Sequence, residues 1–131
     1  MGDFSQNGII SNLHDFGTKT TADIEKELVK FSKERKMELI LPSLYSELKG
    51  NALPNIVKQI SETKYLNHII VGLDKASKTE AVKAWKFFKK LNTPFTILWN
   101  DGPRLKKLHE ELKEKDLAPV EMGKGRNVWY C

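Results

Sequence analysis

Three short apolar runs, Met37 to Leu41, His68 to Leu73 and Pro94 to Trp99, alternate with segments whose apolar residues recur at helical spacing. The central run carries Ile-Ile-Val-Gly-Leu at its heart, with no polar residue at every second place. An unbroken apolar run of strand length, bounded by turn residues, is the pattern of a strand buried on both faces. Strands of that kind joined by amphipathic helices make a parallel sheet with helices on either side. Right-handed crossovers between successive neighbours then predict the spatial order 3-2-1. The chain is therefore expected to be α/β, Rossmann-like and three-layered.

The helices are read as Thr20 to Lys36, Asn51 to Thr63, Lys78 to Leu91 and Pro103 to Lys115. Thr20 with Asp23 forms a variant of the capping box that opens the first. Its inward face is expected to be Ile24, Leu28 and Phe31. The second buries Leu53, Ile56, Val57 and Ile60, with Pro54 harmless in its first turn. The third buries Val82, Trp85, Phe88 and Leu91, and the fourth Leu105, Leu108 and Leu112. Pro42 is expected to close the first strand at Leu41. Residues 1–19 show no confident period and are read as an N-terminal segment; Ile9, Ile10, Leu13 and Phe16 are its apolar members.

Composition narrows the function classes. The 131 residues suit one domain, with 40% apolar and 30% charged residues, as in an ordinary globular protein. No run approaches the roughly 20 apolar residues of a membrane helix, and the start lacks the plan of a signal peptide. A cytoplasmic location without membrane association is expected. A single cysteine excludes an internal disulfide framework. Net charge is +5, which raises nucleic acid as a partner. The lysines are interleaved with glutamates on helices, however, as in Lys106-Lys107-Leu108-His109-Glu110-Glu111. That is the pattern of solvated helix faces, and it argues against nucleic acid.

Ligands of open α/β sheets bind beyond the carboxyl ends of the strands. There the chain places Pro42-Ser43-Leu44-Tyr45-Ser46-Glu47, Asp74-Lys75-Ala76 and Asn100-Asp101-Gly102-Pro103-Arg104. Each has a plain alternative: Asp74 as a helix cap, Glu47 as a solvated carboxylate, Asn100 to Pro103 as a turn that starts a helix. Near the end, Gly123-Lys124-Gly125 precedes an apolar run that reads as a helix start. Glycine allows close backbone approach there, and lysine offers a point charge to phosphate. The motif is not a Walker A sequence, and the dinucleotide fingerprint is absent. Taken together, the four groups favour a nucleotide or sugar-phosphate pocket. His14, His68 and His109 lie on different elements without metal-ligand spacing, and His109 is expected to be exposed.

The four groups, with Ile70-Val71-Gly72-Leu73 and Ile97-Leu98-Trp99 before them and Arg126-Asn127-Val128-Trp129-Tyr130-Cys131 after them, resemble the N-terminal part of bacterial glucosyl-3-phosphoglycerate synthases and related glycosyltransferases. The resemblance runs from about Ile10 to the end. It implies a GT-A fold, retaining transfer of glucose from UDP- or GDP-glucose to 3-phosphoglycerate, and a role in glucosylglycerate synthesis. It implies that Pro42, Ser43, Leu44 and Glu47 hold the nucleoside, that Asp74 lies near base or ribose, and that Gly123, Lys124 and Gly125 lie beside the nucleotide. Tyr45-Ser46 departs from the Asn-Glu of many relatives. The resemblance also implies Mg or another divalent metal in the complete enzyme, held by an Asp-x-Asp motif on a later strand. No Asp-x-Asp occurs in these residues. The chain is therefore expected to be the nucleotide-binding part, 20–131, of a longer domain, with no catalytic or metal-binding residue of its own and no activity alone. Its first strand is then an unpaired edge, a template for a homodimer. The rival reading is a complete, non-enzymatic nucleotide- or phosphate-binding module.

Overall fold

The computed structural model describes residues 19–131, so nearly all of the N-terminal segment lies outside the described residues. The chain runs α1 (Thr21–Glu34), β1 (Met37–Leu44), a 3-10 turn (Tyr45–Lys49), α2 (Ala52–Glu62), β2 (Leu66–Asp74), α3 (Lys78–Phe88), β3 (Phe95–Trp99), α4 (Pro103–Glu114) and α5 (Lys124–Tyr130). The sheet has order β1-β2-β3, and both pairings are parallel. The expected order and direction are borne out, and the described part is a Rossmann-like α/β half-domain. No helix among the described residues is long and apolar enough to cross a membrane.

β1 does not stop at Leu41. It continues through Pro42, which sits opposite Gly72, to Leu44 opposite Asp74. An edge strand has one side with no ladder to lose, so it accepts a residue without an N–H. At the other end the ladder slips between Met37 and Glu38. The side chain of Asn67 repairs the gap by accepting the Met37 N–H at 2.9 Å.

The period of two along β2 separates two unlike faces. Ile69, Val71 and Leu73 point one way and are fully buried. They are flanked in register by Leu39 and Leu41 on β1 and by Phe95, Ile97 and Trp99 on β3. Leu53 and Val57 of α2, Ala84 and Phe88 of α3, and Leu91 close this core. The other face carries Ile40, His68, Ile70, Thr96 and Leu98. It is not sealed along its length: Ile40 is exposed, and His68 bonds Thr96 at 3.1 Å. The expectation of helices on both faces of the sheet holds, with this second face covered only in part. α5 lies on this second face, toward its carboxyl end.

Four helix faces also differ from expectation. On α3 the sheet-facing stripe is Ala81, Ala84 and Phe88, continued by Leu91 just beyond the helix, while Val82 and Trp85 are outside. Alanines let the helix axis approach the sheet, a packing signal that a count of large apolar residues misses. Trp85 is 47% exposed, and its outer ring face is covered by the Lys89 ammonium at 4.2 Å, a cation–π contact. On α1, Ile24 and Phe31 are exposed, because nothing among the described residues lies over them; Ser32 is its buried residue. Ile56 of α2 and Leu108 of α4 are likewise outside.

The helix starts obey capping chemistry. Thr20 accepts the Asp23 N–H at α1, and Pro103 sits in the first turn of α4 after Gly102. At α3, Ser77 accepts the Glu80 N–H and the Glu80 carboxylate accepts the Ser77 N–H at 2.9 Å, a reciprocal capping box. The Ser77 N–H and the Ser77 hydroxyl, which also donates to this carboxylate at 2.9 Å, hold the Glu80 carboxyl below its ordinary pKa. A carboxylate depressed in the folded state stabilises above its unfolded pKa, and that stability is lost as pH falls through its folded pKa. Glu80→Gln is thus expected to lower the urea midpoint at pH 7 and to match the parent once pH drops below the carboxylate range. Urea titrations at both pH values check this.

Candidate functional site

Beyond the carboxyl edge of the sheet lies a cleft of about 530 Å³, within the size of small-ligand sites. Its first wall is the end of β1 and the turn after it: Pro42, Ser43, Leu44 and Glu47. Its floor is Asp74 and Lys75 at the end of β2, and its far wall is Met122, Gly123, Lys124 and Asn127. The resemblance assigned eight residues to the nucleotide. Seven of them, Pro42, Ser43, Leu44, Glu47, Asp74, Gly123 and Lys124, line this one cleft; Gly125 does not.

Each wall is held by a local device. The Glu47 carboxylate accepts the Leu44 N–H at 2.8 Å, which fastens the 3-10 turn back onto the strand end. The Ser43 hydroxyl is buried with no protein partner among the described residues. Gly123 has φ of +150°, a conformation open to glycine and strained for other residues. It delivers the chain into α5 with Lys124 as the first helical residue.

α5 reaches the sheet through Asn127, which is 2% exposed. Its amide donates to the Gly72 carbonyl at 2.9 Å. A Cβ on Gly72 would lie 1.7 Å from the Asn127 side-chain oxygen, so only glycine admits the helix here. Tyr130, at the far end of α5, hydrogen-bonds His109 of α4. His109 is therefore half-buried and bonded, not exposed as expected. Cys131 follows against Asn127, and burial pushes its thiol pKa up, away from the thiolate that nucleophilic chemistry needs.

Asp74 is not the cap of α3; Ser77 fills that place. Asp74 instead pairs with Arg126 of α5 at 3.2 Å, with side chains only 6% and 12% exposed. Sequence reasoning missed this partner, since 52 positions separate the two. Next to Asp74, Lys75 takes a left-handed φ of 53°, a conformation that costs a residue with a Cβ about 1 kcal/mol. The loop is clamped from β3: Asp101 accepts the Ala76 N–H at 3.0 Å, and the Trp99 indole donates to the Ala76 carbonyl at 2.7 Å. Asn100 continues β3 on this same edge, its backbone N–H on the Leu73 carbonyl at 2.9 Å. Its side chain is buried, and neither polar end has a partner among the described residues.

The residues of the cleft do not fit a divalent cation. Among the described residues no three His, Cys, Asp or Glu side chains gather. The two cleft carboxylates are already engaged, Glu47 by a backbone N–H and Asp74 by Arg126.

These features define a class: a parallel α/β half-domain with a ligand-sized polar cleft at the carboxyl edge of its sheet. Comparison with known proteins narrows it. The chain is similar to glucosyl-3-phosphoglycerate synthase of Persephonella marina, 42% identical over 129 residues, which is 98% of this chain and 32% of that protein. It is also similar to glucosyl-3-phosphoglycerate synthase of Methanococcoides burtonii, 32% identical over 124 residues, 93% of this chain and 30% of that protein. The resemblance to this kind of glycosyltransferase is thus borne out over nearly the whole chain, which spans about a third of the length of these relatives. No family model matches the chain, and no solved structure matches it.

Gly72→Ala tests the seat of α5. The new methyl would have to displace the Asn127 side chain, so a loss of about 1–3 kcal/mol is expected, as for overpacking in a tight core. Denaturant unfolding measures it.

Proposed function

We propose that residues 20–131 form the donor-nucleotide-binding part of a retaining glycosyltransferase that moves glucose from UDP- or GDP-glucose to 3-phosphoglycerate, in glucosylglycerate synthesis in the cytoplasm. The observation that carries this reading is the cleft itself. Residues from three separate stretches, 42–47, 74 and 123–124, line one cavity of ligand size, and the relatives matching the whole stretch bear that enzyme's name.

In this reading each side chain does a distinct task. Pro42 and Leu44 give the nucleoside an apolar wall, and the Ser43 hydroxyl supplies a hydrogen bond that its burial leaves unmade. Asp74 accepts from a ribose hydroxyl or a base N–H. Lys124 places a positive charge against the diphosphate, and Gly123 lets the backbone turn close beside it. A divalent metal would offset charge on the departing diphosphate in the complete enzyme; its ligands would come from outside these 131 residues. A single ammonium does not fix the geometry of a diphosphate, so the chain alone is read as a binder that does not transfer sugar. Among the described residues β1 has one unpaired side, which would offer backbone groups for pairing with a second copy; sedimentation would detect it.

Calorimetric titration of the chain with UDP-glucose and GDP-glucose tests the reading, with binding of one or both expected. Lys124→Ala should weaken that binding by roughly 1–3 kcal/mol, the value of a hydrogen bond to a charged group; unchanged affinity would remove Lys124 from the site. Polynucleotide serves as the opposing ligand at two salt concentrations, since phosphate-driven binding falls steeply with salt. Glucose transfer to 3-phosphoglycerate by the 131-residue chain with magnesium would refute the division of labour.

A further inference from the structure

We infer that Arg126 is a positioning residue for the nucleotide, holding Asp74 as an oriented and charge-balanced acceptor in the cleft. The inference rests on the proposed reading of the cleft and adds a residue that the resemblance did not assign. Arg126 is not itself part of the cleft lining. It stands behind Asp74, with one guanidinium nitrogen on Asp74 Oδ1 at 3.2 Å. Asp74 does line the cleft. One carboxylate oxygen is thus held by the protein, and the carboxylate's orientation toward the cleft is set by α5.

Charge gives the pair its purpose. A nucleoside hydroxyl or base N–H needs an acceptor, and a carboxylate is the strongest one available. A nearly buried carboxylate beside a diphosphate, however, repels the ligand it is meant to receive. Arg126 cancels that charge from the protein side while leaving the acceptor in place. The guanidinium is a rigid planar donor, so even this single contact sets the direction from which Asp74 Oδ1 is held, which a flexible lysine ammonium would not do. The other charged groups near Asp74 do not substitute for it. Lys75 and Lys124 line the cleft with exposed side chains, Glu47 is engaged with the Leu44 N–H, and Asp101 with the Ala76 N–H.

The pair also couples recognition to the placement of Lys124. Arg126 and Lys124 share the first turn of α5. The contact that orients the acceptor for the nucleoside therefore helps to fix the helix start that faces the diphosphate.

The test compares uridine and guanosine with UDP and GDP by calorimetry on the purified chain, using Arg126→Gln, Arg126→Lys, and Asp74→Asn combined with Arg126→Gln. Arg126→Gln is expected to weaken the diphosphate by at least about tenfold, and to weaken the free nucleoside less, because the exposed carboxylate charge opposes only the anion. Adding Asp74→Asn should recover part of the diphosphate affinity, since the lone charge is gone. A merely structural role predicts equal losses for both ligands and no recovery in the double variant; that result overturns the inference. So do affinities within about twofold of the parent in Arg126→Gln. Should Arg126→Gln alone fail to fold, Arg126→Lys carries the test. It should keep the parent's ratio of diphosphate to nucleoside affinity while weakening both severalfold, and unchanged affinities overturn the inference. A parent chain that binds none of the four ligands removes the proposed function and this inference together. Parent binding with an insensitive Arg126 removes the inference alone.

Discussion

Burial along β2 sets the terms for the rest of the molecule. Among the described residues it is the strand with partners on both sides, and its alternation sends Ile69, Val71 and Leu73 into a dry core and Ile70, Gly72 and Asp74 to the opposite face. The dry face needs α2 and α3, which bury a continuous apolar surface against it. The opposite face becomes polar toward its carboxyl end: an unsubstituted Gly72 seats Asn127, and Asp74 meets Arg126. One strand thereby supplies both the hydrophobic driving force of folding and the floor of the cleft, using alternate residues for each.

The separation explains how the site is kept apart from the core. Val71 and Gly72 are neighbours in sequence, yet one packs in the core and the other meets a helix that carries the cleft wall. The cleft walls come from β1 with its turn, from β2 and from α5, elements joined through the sheet ladder, the Asn127 anchor and the Asp74–Arg126 pair. The geometry of the cleft therefore depends on the register of β1 against β2, which brings Ser43 beside Leu73 and Leu44 beside Asp74.

Much of this was legible in the sequence, and the reasons are local. The strands were marked by unbroken apolar runs, the order by chain connectivity, and the helix starts by Thr20, Pro103 and Gly123, whose chemistry acts within a few residues. The stretches after the first two strands line the cleft, while Asn100 to Arg104 after the third do not. What the sequence hid was long-range or small. The Asp74–Arg126 pair joins residues 52 positions apart. The approach of α3 rests on Ala81 and Ala84, which no hydrophobicity count favours over Val82 and Trp85. Pro42 was read by its usual effect, and its tolerance on an edge strand could be known only from the pairing. His109 gave no sign that a tyrosine 21 positions away would bond it.

The loop after β2 has a thermodynamic consequence. Both backbone groups of Ala76 are tied to the end of β3, the N–H by Asp101 and the carbonyl by Trp99, while Lys75 before it is held in a left-handed conformation. A segment fixed at both polar groups has already surrendered its freedom during folding. A ligand that docks against it therefore orders little further backbone, and its binding free energy is not diminished by loop entropy on that side. In the proposed reading of the cleft, the conformational cost of recognition is met by the folding of Trp99 at the end of β3 and Asp101 just beyond it, so changes at Trp99 would be felt as weaker binding by residues they never touch.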